Sequence, residues 1–173
     1  MSSSLRQIQR FLKNHMSVSV SHVSIYRWIR HFAPFFKTIS NFLLQNANLQ
    51  SDEWHADETY IKIKGQQHLL WILMDSETRV VIAFHLSSVR DSNTALTLFE
   101  KSRNITDASP FTIITDGLDA YNMPIVLAYS KSKHHIYSSF ADDSSNNVLE
   151  SFNKTFKAWY KTKKGFHSFA SAL

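Results

Sequence analysis

The sequence contains no cysteine, and this absence rules out several kinds of site at once. Without thiols the protein has no disulfide framework, no thiolate nucleophile and no cysteine-ligated zinc. Any metal ion must therefore be held by oxygen or imidazole. Carboxylates become the leading candidate ligands.

Long apolar stretches are also missing from the 173 residues. The longest purely apolar run, residues 69–74, is much shorter than the roughly 20 residues that cross a bilayer. The first residues, MSSSLR, lack the apolar stretch of a secretion signal. With 43% hydrophobic residues, the composition predicts a globular cytoplasmic protein with one ordinary core and no membrane partner.

Acidic residues are absent from the first 51 positions, which carry six of the 19 arginines and lysines. The positive excess of the chain, whose net charge is +5, is therefore concentrated at the N-terminus. A second basic cluster near the C-terminus comprises Lys154, Lys157, Lys161, Lys163 and Lys164. Such segregated charge indicates a polyanionic partner, most commonly nucleic acid. The ordinary alternative is a set of solvated side chains on an exposed surface.

The first 37 residues show the pattern of two short helices joined by a turn. An apolar stripe with preceding serine caps predicts the first helix, and residues 17–20 predict the turn. The apolar stripe of the second helix comprises Ile25, Trp28, Ile29 and Phe32. This second helix is expected to end before Pro34.

We interpret residues 1–37 as a helix-turn-helix DNA-binding unit and residues 38–52 as a connector. Arg27 and Arg30 lie off the apolar stripe of the second helix, as side chains that contact DNA must. A plain helical hairpin with solvated arginines is the alternative interpretation.

From residue 53 the pattern changes to alternating strands and helices. Three strands at 54–63, 69–75 and 80–86 predict an antiparallel meander. A helix beginning near Asp91 or Ser92, with Ala95, Leu98, Phe99 and Ser102 on one face, precedes a fourth strand at 111–115. A helix at Pro124, a strand at 134–137, a polar loop at 141–145 and a long helix from about 147 follow. This order predicts an α/β fold with a mixed sheet covered by helices.

Two acids occupy strand positions that favour a metal site. Asp57 falls in the middle of a predicted strand, where an acid is disfavoured and needs a compensating partner. Asp116 directly follows the strand 111–115, at the carboxyl end where ligands of α/β sheets gather. A turn-capping aspartate is the ordinary alternative for Asp116-Gly117. Glu58 points to the opposite face from Asp57 by strand alternation and is not counted as a ligand.

Glu150 heads a row of basic residues on the last predicted helix. Val148, Phe152, Phe156 and Trp159 form one stripe, predicted to be buried, and Glu150, Lys154, Lys157 and Lys161 form another. The second stripe fits a metal ligand followed by lysines that bind DNA phosphates. It fits equally well an ordinary Glu150–Lys154 pair, which stabilises a helix by about 0.2–0.5 kcal/mol.

Several segments, in order, resemble a known family. Residues 54–65 read WHADETYIKIKG, residues 115–117 read TDG, residues 146–150 read NNVLE and residues 165–169 read GFHSF. Together they resemble the DDE-class insertion-sequence transposases of bacteria and archaea, closest to the insertion-sequence-six type. The 34 positions from Asp116 to Glu150 match the spacing of that family's motif.

The resemblance implies that residues 53–173 form a ribonuclease-H-like catalytic domain with the triad Asp57, Asp116 and Glu150. It implies two Mg²⁺ or Mn²⁺ ions on this triad, DNA strand cleavage, and attack of the freed 3′-hydroxyl on target DNA. The implied partners are the terminal inverted repeats of the element, the target DNA and further copies of the chain on paired ends. Lys157 matches a basic position that contacts DNA beside the site.

Other functions remain open on the residues alone. One is a DNA-binding module without catalysis, and another is a ribonuclease-H-like nuclease that cuts but does not join. The chain stops at Leu173, within an expected helix. A partial or decayed transposase copy is therefore a further alternative.

Overall fold

A computed structural model of the chain describes residues 3–47, 49, 51–137, 147–162, 165–169 and 172. The chain divides into two compact units, Met1–Leu43 and Leu44–Leu173. The polar loop at residues 141–145 lies outside the described residues, as do Lys163 and Lys164.

The first helix, α1, spans Leu5–Met16. The Ser4 hydroxyl accepts a hydrogen bond from the Gln7 amide, and the Gln7 side chain accepts one from the Ser4 amide. This reciprocal capping box satisfies two amides of the first turn. The helix ends where Ser17 adopts a left-handed conformation (φ 55°). The predicted helix and its serine cap are confirmed, and residues 17–21, which follow the helix, are neither helix nor strand.

The second helix, α2, spans His22–Asn46 and is much longer than expected. The prediction that it ends before Pro34 is wrong, because the helix continues through that residue. A proline inside a helix removes the hydrogen bond that its own nitrogen would donate, four residues back to Arg30, and its ring crowds that carbonyl. The remaining backbone bonds can continue beyond it. The expected connector at residues 38–52 is therefore helical as far as Asn46.

Most of the apolar stripe on α2 is exposed. Ile25 is 4% exposed, whereas Trp28, Ile29 and Phe32 are 45–49% exposed. Arg27 and Arg30 are exposed as well. The two helices exist as predicted, and the helix-turn-helix interpretation stays a prediction.

The second unit contains a five-stranded mixed sheet. Its strands are β1 (Glu53–Ile63), β2 (Gln66–Asp75), β3 (Val81–Ser87), β4 (Thr112–Thr115) and β5 (Lys133–Ile136). The order in the sheet is β3-β2-β1-β4-β5. The β1–β2 and β2–β3 pairs are antiparallel, whereas the β1–β4 and β4–β5 pairs are parallel. The predicted meander and the mixed α/β plan are confirmed.

Helices connect and cover the strands of this sheet. They are α3 (Ser92–Ile105), a short 3₁₀ helix (Asp119–Tyr121), α4 (Asn122–Ala128) and α5 (Asn147–Lys161). Asp91 caps α3 by accepting from the Thr94 amide, and the predicted face of α3 is buried. Among the described helices, none has both the length and the apolar character needed to cross a membrane.

Two clusters of buried side chains lie against the sheet. The larger contains Trp54, Ala56 and Trp71 from the sheet together with Leu98 and Phe99 from α3 and Ile125 from α4. The smaller contains Ile72, Met74 and Leu149, with Val148 and Phe152 packed against it. Since neighbouring strand residues face opposite ways, α5 covers the face to which Asp57 belongs.

The predicted buried stripe of α5 is only partly correct. Val148, Phe152 and Phe156 are half-buried, while Trp159 is 37% exposed. Leu149 lies outside that stripe but is buried, with 2% of its surface exposed. The helix is therefore rotated relative to the expected stripe, toward Leu149.

Candidate functional site

The parallel pairing of β1 with β4 determines which acids meet. His55 is paired with Ile114 in this ladder. Two residues further along each strand are Asp57 and Asp116, so the same register sets them side by side. Asp57 lies within β1, and Asp116 directly follows the last residue of β4.

Asp116 occupies a turn that leaves half of its carboxylate open. Its Oδ1 accepts a hydrogen bond from the Leu118 amide at 3.1 Å, so the turn-capping role weighed from the sequence is present. Its side chain is nevertheless 44% exposed. Oδ2 lies 3.7 Å from Nη2 of Arg90.

Asp57 is half-buried, and both of its oxygens are engaged. Oδ1 accepts from the Glu58 amide at 2.8 Å, and Oδ2 accepts from the Asn153 side chain on α5 at 2.7 Å. Burial raises the pKa of Asp57 to about 6. The two hydrogen bonds oppose this rise, whereas the neighbouring carboxylates of Glu58 and Asp116 add to it.

Glu58 joins these two acids, although strand alternation suggested otherwise. One carboxylate oxygen from each of Asp57, Glu58 and Asp116 lies within 4.8 Å of the other two. We call these three residues the acidic cluster. The backbone does direct Glu58 to the opposite face, where its Oε2 accepts from the buried Tyr121 hydroxyl at 2.9 Å. Its longer side chain still brings a carboxylate oxygen close to the others.

Glu58 is also paired with a cation. Nε of Arg90 donates to Glu58 Oε1 at 2.7 Å, and Nη2 of the same arginine donates to the same oxygen. The Glu58 side chain is only 3% exposed. Arg90 and Tyr121 therefore compensate this carboxylate, and the three acids of the acidic cluster together could hold a hard cation.

A small cleft opens beside Asp57 and Asp116 between the sheet and α5. Its lining is formed by His55, Ala56, Asp57, Ile114, Thr115, Asp116 and Leu149. The contribution from Leu149 shows that the first turn of α5 closes one side of the cleft.

Glu150 lies in that first turn and is exposed. It is not a member of the acidic cluster as the described residues define it. Asn153, which donates to Asp57, follows Glu150 by three residues. Positions three apart lie on the same side of a helix, so Glu150 shares the side of α5 that contacts Asp57.

The predicted DNA-contacting residues are all exposed. Lys154, Lys157 and Lys161 lie along α5, and Arg27 and Arg30 lie on α2. The Arg30 guanidinium is 6.0 Å from the centroid of the Tyr26 ring.

Sequence reasoning missed Arg90 and Asn153. The sequence does carry a signal for Asn153, because its spacing from Glu150 places both on one helical face. Arg90 has no such signal. It follows β3, which is separated from β1 by β2, so its proximity to Glu58 depends on the sheet order.

Comparison with known proteins gives a family match across most of the chain. The profile of a DDE domain family of IS240-type transposases matches residues 51–173. Similar proteins in Staphylococcus aureus include the transposase for insertion sequence-like element IS431mec of strain Mu50 and the transposase for insertion sequence element IS257 in transposon Tn4003. Each is 31% identical over 117 residues, which cover 63% of this chain and 50% of the relative. The chain thus spans about half the length of these relatives.

A solved structure resembles the fold. The catalytic domain of Mos1 mariner transposase matches with a TM-score of 0.51 at 11% sequence identity. The match covers 79% of this chain and 72% of that chain. The predicted ribonuclease-H-like fold is thereby confirmed.

Proposed function

Because this chain belongs to the DDE family of insertion-sequence transposases, of the insertion-sequence-six type, we propose that it cuts DNA strands and joins the freed 3′-hydroxyl to target DNA. The observation that carries the proposal is the β1–β4 register, which sets Asp57 beside Asp116. Glu150 is the third proposed member, in the first turn of the helix whose Asn153 contacts Asp57.

We propose Asp57, Asp116 and Glu150 as the ligands of two Mg²⁺ or Mn²⁺ ions. Such ions activate an attacking oxygen and stabilise a leaving oxygen during displacement at phosphorus. The donor set fits, because it consists of carboxylates and no sulfur. Burial beside two other carboxylates disfavours the ionised form of Asp57, and a divalent cation would relieve that penalty. The role of Glu150 rests on the family motif and on its position one helical turn before Asn153.

The basic side chains are assigned to the DNA partner. Lys154, Lys157 and Lys161 on α5 would bind phosphates of the strand being cut. Arg27 and Arg30, within the proposed DNA-binding unit at residues 1–37, would read the terminal inverted repeats.

We propose that residues 38–52 form the connector and that residues 53–173 form the catalytic domain. We further propose action on cytoplasmic, nucleoid-associated DNA by two or more copies of the chain assembled on paired ends.

The test of the catalytic proposal replaces each proposed ligand with its neutral isostere. Asp57→Asn, Asp116→Asn and Glu150→Gln should each abolish nicking of a supercoiled plasmid that carries the DNA flanking the gene. Each change removes a ligand charge while preserving side-chain shape. Folding is checked by circular dichroism and DNA binding by fluorescence anisotropy, and both should be nearly unchanged.

Matched controls come from exposed acids outside the acidic cluster. Asp107→Asn and Glu100→Gln change the same chemical groups on exposed residues and should leave nicking intact. A triad variant that nicks at close to the wild-type rate in Mg²⁺ would remove that residue from the proposed site.

The same assay separates the alternative functions. A DNA-binding module would bind the plasmid without metal-dependent nicking. A nuclease would nick the plasmid without producing joined strands. A strand-transfer product joined through the 3′-end is therefore the outcome that the transposase proposal requires.

A further inference from the structure

Arg90 borders the acidic cluster although it follows β3, at the edge of the sheet. In addition to its two bonds to Glu58 Oε1, its Nη2 lies 3.7 Å from Asp116 Oδ2. The guanidinium thus extends from a buried carboxylate to the open side of the proposed metal site.

The support beneath Arg90 is buried and hydrogen-bonded. Oε1 of Glu58 accepts from Arg90, and Oε2 accepts from the Tyr121 hydroxyl. Tyr121 is fully buried, and its ring packs edge-on against Trp71 with the centroids 5.5 Å apart. Because Oε1 of Glu58 accepts two hydrogen bonds from Arg90, this carboxylate holds the guanidinium in place.

The Arg90 side chain is partly open to solvent. The Arg90 side chain is 42% exposed. Within the described part of the chain, Nη1 donates to no acceptor. An arginine carries five N–H donors in a planar fork that matches the oxygens of a phosphate. The two donors on Nη1 therefore remain for a further acceptor.

Neutralising Glu58 is a weak explanation for this arrangement by itself. A buried ion pair adds little stability relative to apolar residues of similar volume, because both charges lose hydration. Arg90 also keeps nearly half of its side chain in solvent next to two carboxylates that would hold a cation. This is the position that an anion bound to that cation would approach.

We propose that Arg90 is a catalytic residue that binds a nonbridging oxygen of the DNA phosphodiester at the acidic cluster, and that Glu58 and Tyr121 are positioning residues for its guanidinium. The inference rests on the proposed function, because the phosphodiester is the substrate of that reaction. A fixed positive charge at this point stabilises negative charge that develops on the phosphate oxygens during displacement.

The experiment compares Arg90→Gln, Glu58→Gln and the double variant that carries both changes. Arg79→Gln is the matched control, because Arg79 is an exposed arginine in the turn between β2 and β3. Three quantities are measured for each protein: the single-turnover nicking rate in Mg²⁺ on plasmid carrying the DNA that flanks the gene, the salt dependence of binding to a duplex of that DNA, and the thermal unfolding midpoint.

Arg90→Gln should lower the nicking rate by about 100-fold, which is typical for the loss of one donor to transition-state charge. It should also reduce the slope of log K against log salt by about 0.9, the value for one lost phosphate contact. The unfolding midpoint should fall, because the Glu58 carboxylate stays buried without its cation. Arg79→Gln should leave all three quantities near their wild-type values.

The double variant separates catalysis from stability. With both charges removed, the unfolding midpoint should return toward the wild-type value, whereas the nicking rate and the salt slope should stay as low as in Arg90→Gln. Glu58→Gln alone should slow nicking, since it releases the guanidinium from its support. Arg90→Lys should recover only part of the rate, because a lysine keeps the charge but loses the fork.

Recovery of wild-type nicking in the double variant would show that Arg90 only neutralises Glu58, and the inference would be wrong. The inference would also be wrong if Arg90→Gln kept the wild-type nicking rate and the wild-type salt slope. If the wild-type protein itself does not nick DNA, but Arg90→Gln still lowers the salt slope, the catalytic function fails while the phosphate contact stands.

Discussion

Burial and neighbouring negative charge both raise the pKa of Asp57. It lies in a strand beneath α5, close to the carboxylates of Glu58 and Asp116. Burial is the largest cause that raises its pKa to about 6. At neutral pH the residue is therefore ionised at a cost in folding free energy, which is expected of a ligand whose stabilising partner is a cation.

Asp57→Asn is expected to stabilise the metal-free protein at alkaline pH. The pKa of about 6 in the folded state lies above the ordinary value of 3.8, so the protonated form stabilises the fold at low pH. That stabilisation is fully present below about pH 4 and is lost as pH rises through 6. An asparagine is neutral throughout, so the free energy of unfolding should rise by on the order of 1–3 kcal/mol at pH 8, with no gain near pH 4.

Denaturant unfolding in EDTA at pH 4, 6 and 8 measures this difference. The asparagine can keep both contacts of Asp57, because Asn153 Oδ1 has no partner among the described residues and can accept after an amide rotation. Asp107→Asn, at an exposed position, serves as the control and should show no such pH dependence. An Asp57→Asn protein less stable than wild type at pH 8 would contradict the assigned cause.

At the scale of elements, the turn after β4 fixes the direction of Asp116. Gly117 has a φ of 87°, a conformation that L-residues rarely adopt. A Cβ at this position would lie 2.9 Å from Ile136 Cγ2 on β5. The Leu118 amide beyond the glycine donates to Asp116 Oδ1. The conformation of the turn therefore fixes the direction of this carboxylate.

Gly117→Ala should destabilise the protein and impair the site together. The backbone strain costs about 1–2 kcal/mol, and the contact with Ile136 adds a displacement of the turn. Gly65→Ala is the matched control, because Gly65 has a φ of 80° but nothing within 4 Å of an added Cβ. Thermal unfolding should show the larger loss for Gly117→Ala, and only this variant should slow nicking. Equal losses in both would show that the Ile136 contact is unimportant.

At the scale of the whole molecule, positive charge is divided between the two compact units. Arg27 and Arg30 are exposed in the unit Met1–Leu43, and Lys154, Lys157 and Lys161 are exposed in the unit Leu44–Leu173. The α5 lysines follow Glu150 on the helix that contacts Asp57 through Asn153. This division predicts that the two sets of basic residues do different work on DNA.

Arg27→Ala or Arg30→Ala should weaken binding to the element ends by about 1–3 kcal/mol and relax sequence preference, if the side chain contacts a base edge through two hydrogen bonds. Lys157→Ala should instead keep sequence preference, lower the salt slope by about 0.9 and slow cleavage of bound DNA. Binding titrations at several salt concentrations and single-turnover cleavage measure both effects. The opposite result would contradict this assignment of tasks. In that case Lys157→Ala would change sequence preference, and Arg27→Ala would affect cleavage alone.

Local sequence patterns are enough to predict most helices and strands and two of the three clustered acids, Asp57 and Asp116. Strand alternation and helical periodicity are properties of neighbouring residues, so they predicted the meander, the buried face of α3, the strand position of Asp57 and the strand end at Asp116. The family motif added Glu150 and the ribonuclease-H-like fold. The same local rules failed at Pro34, because a single missing backbone donor does not decide whether a helix stops.

Which of these residues meet depends on how the strands and helices pack. The order β3-β2-β1-β4-β5 places β4 beside β1 and so joins Asp57 to Asp116. The bond from Arg90 to Glu58 spans 32 positions in the chain, and the bond from Asn153 to Asp57 spans 96. Contacts at such separations depend on strand order and helix docking, which no local pattern encodes. For this reason strand alternation alone does not predict that Glu58 joins the other acids, and the sequence carries no signal for Arg90.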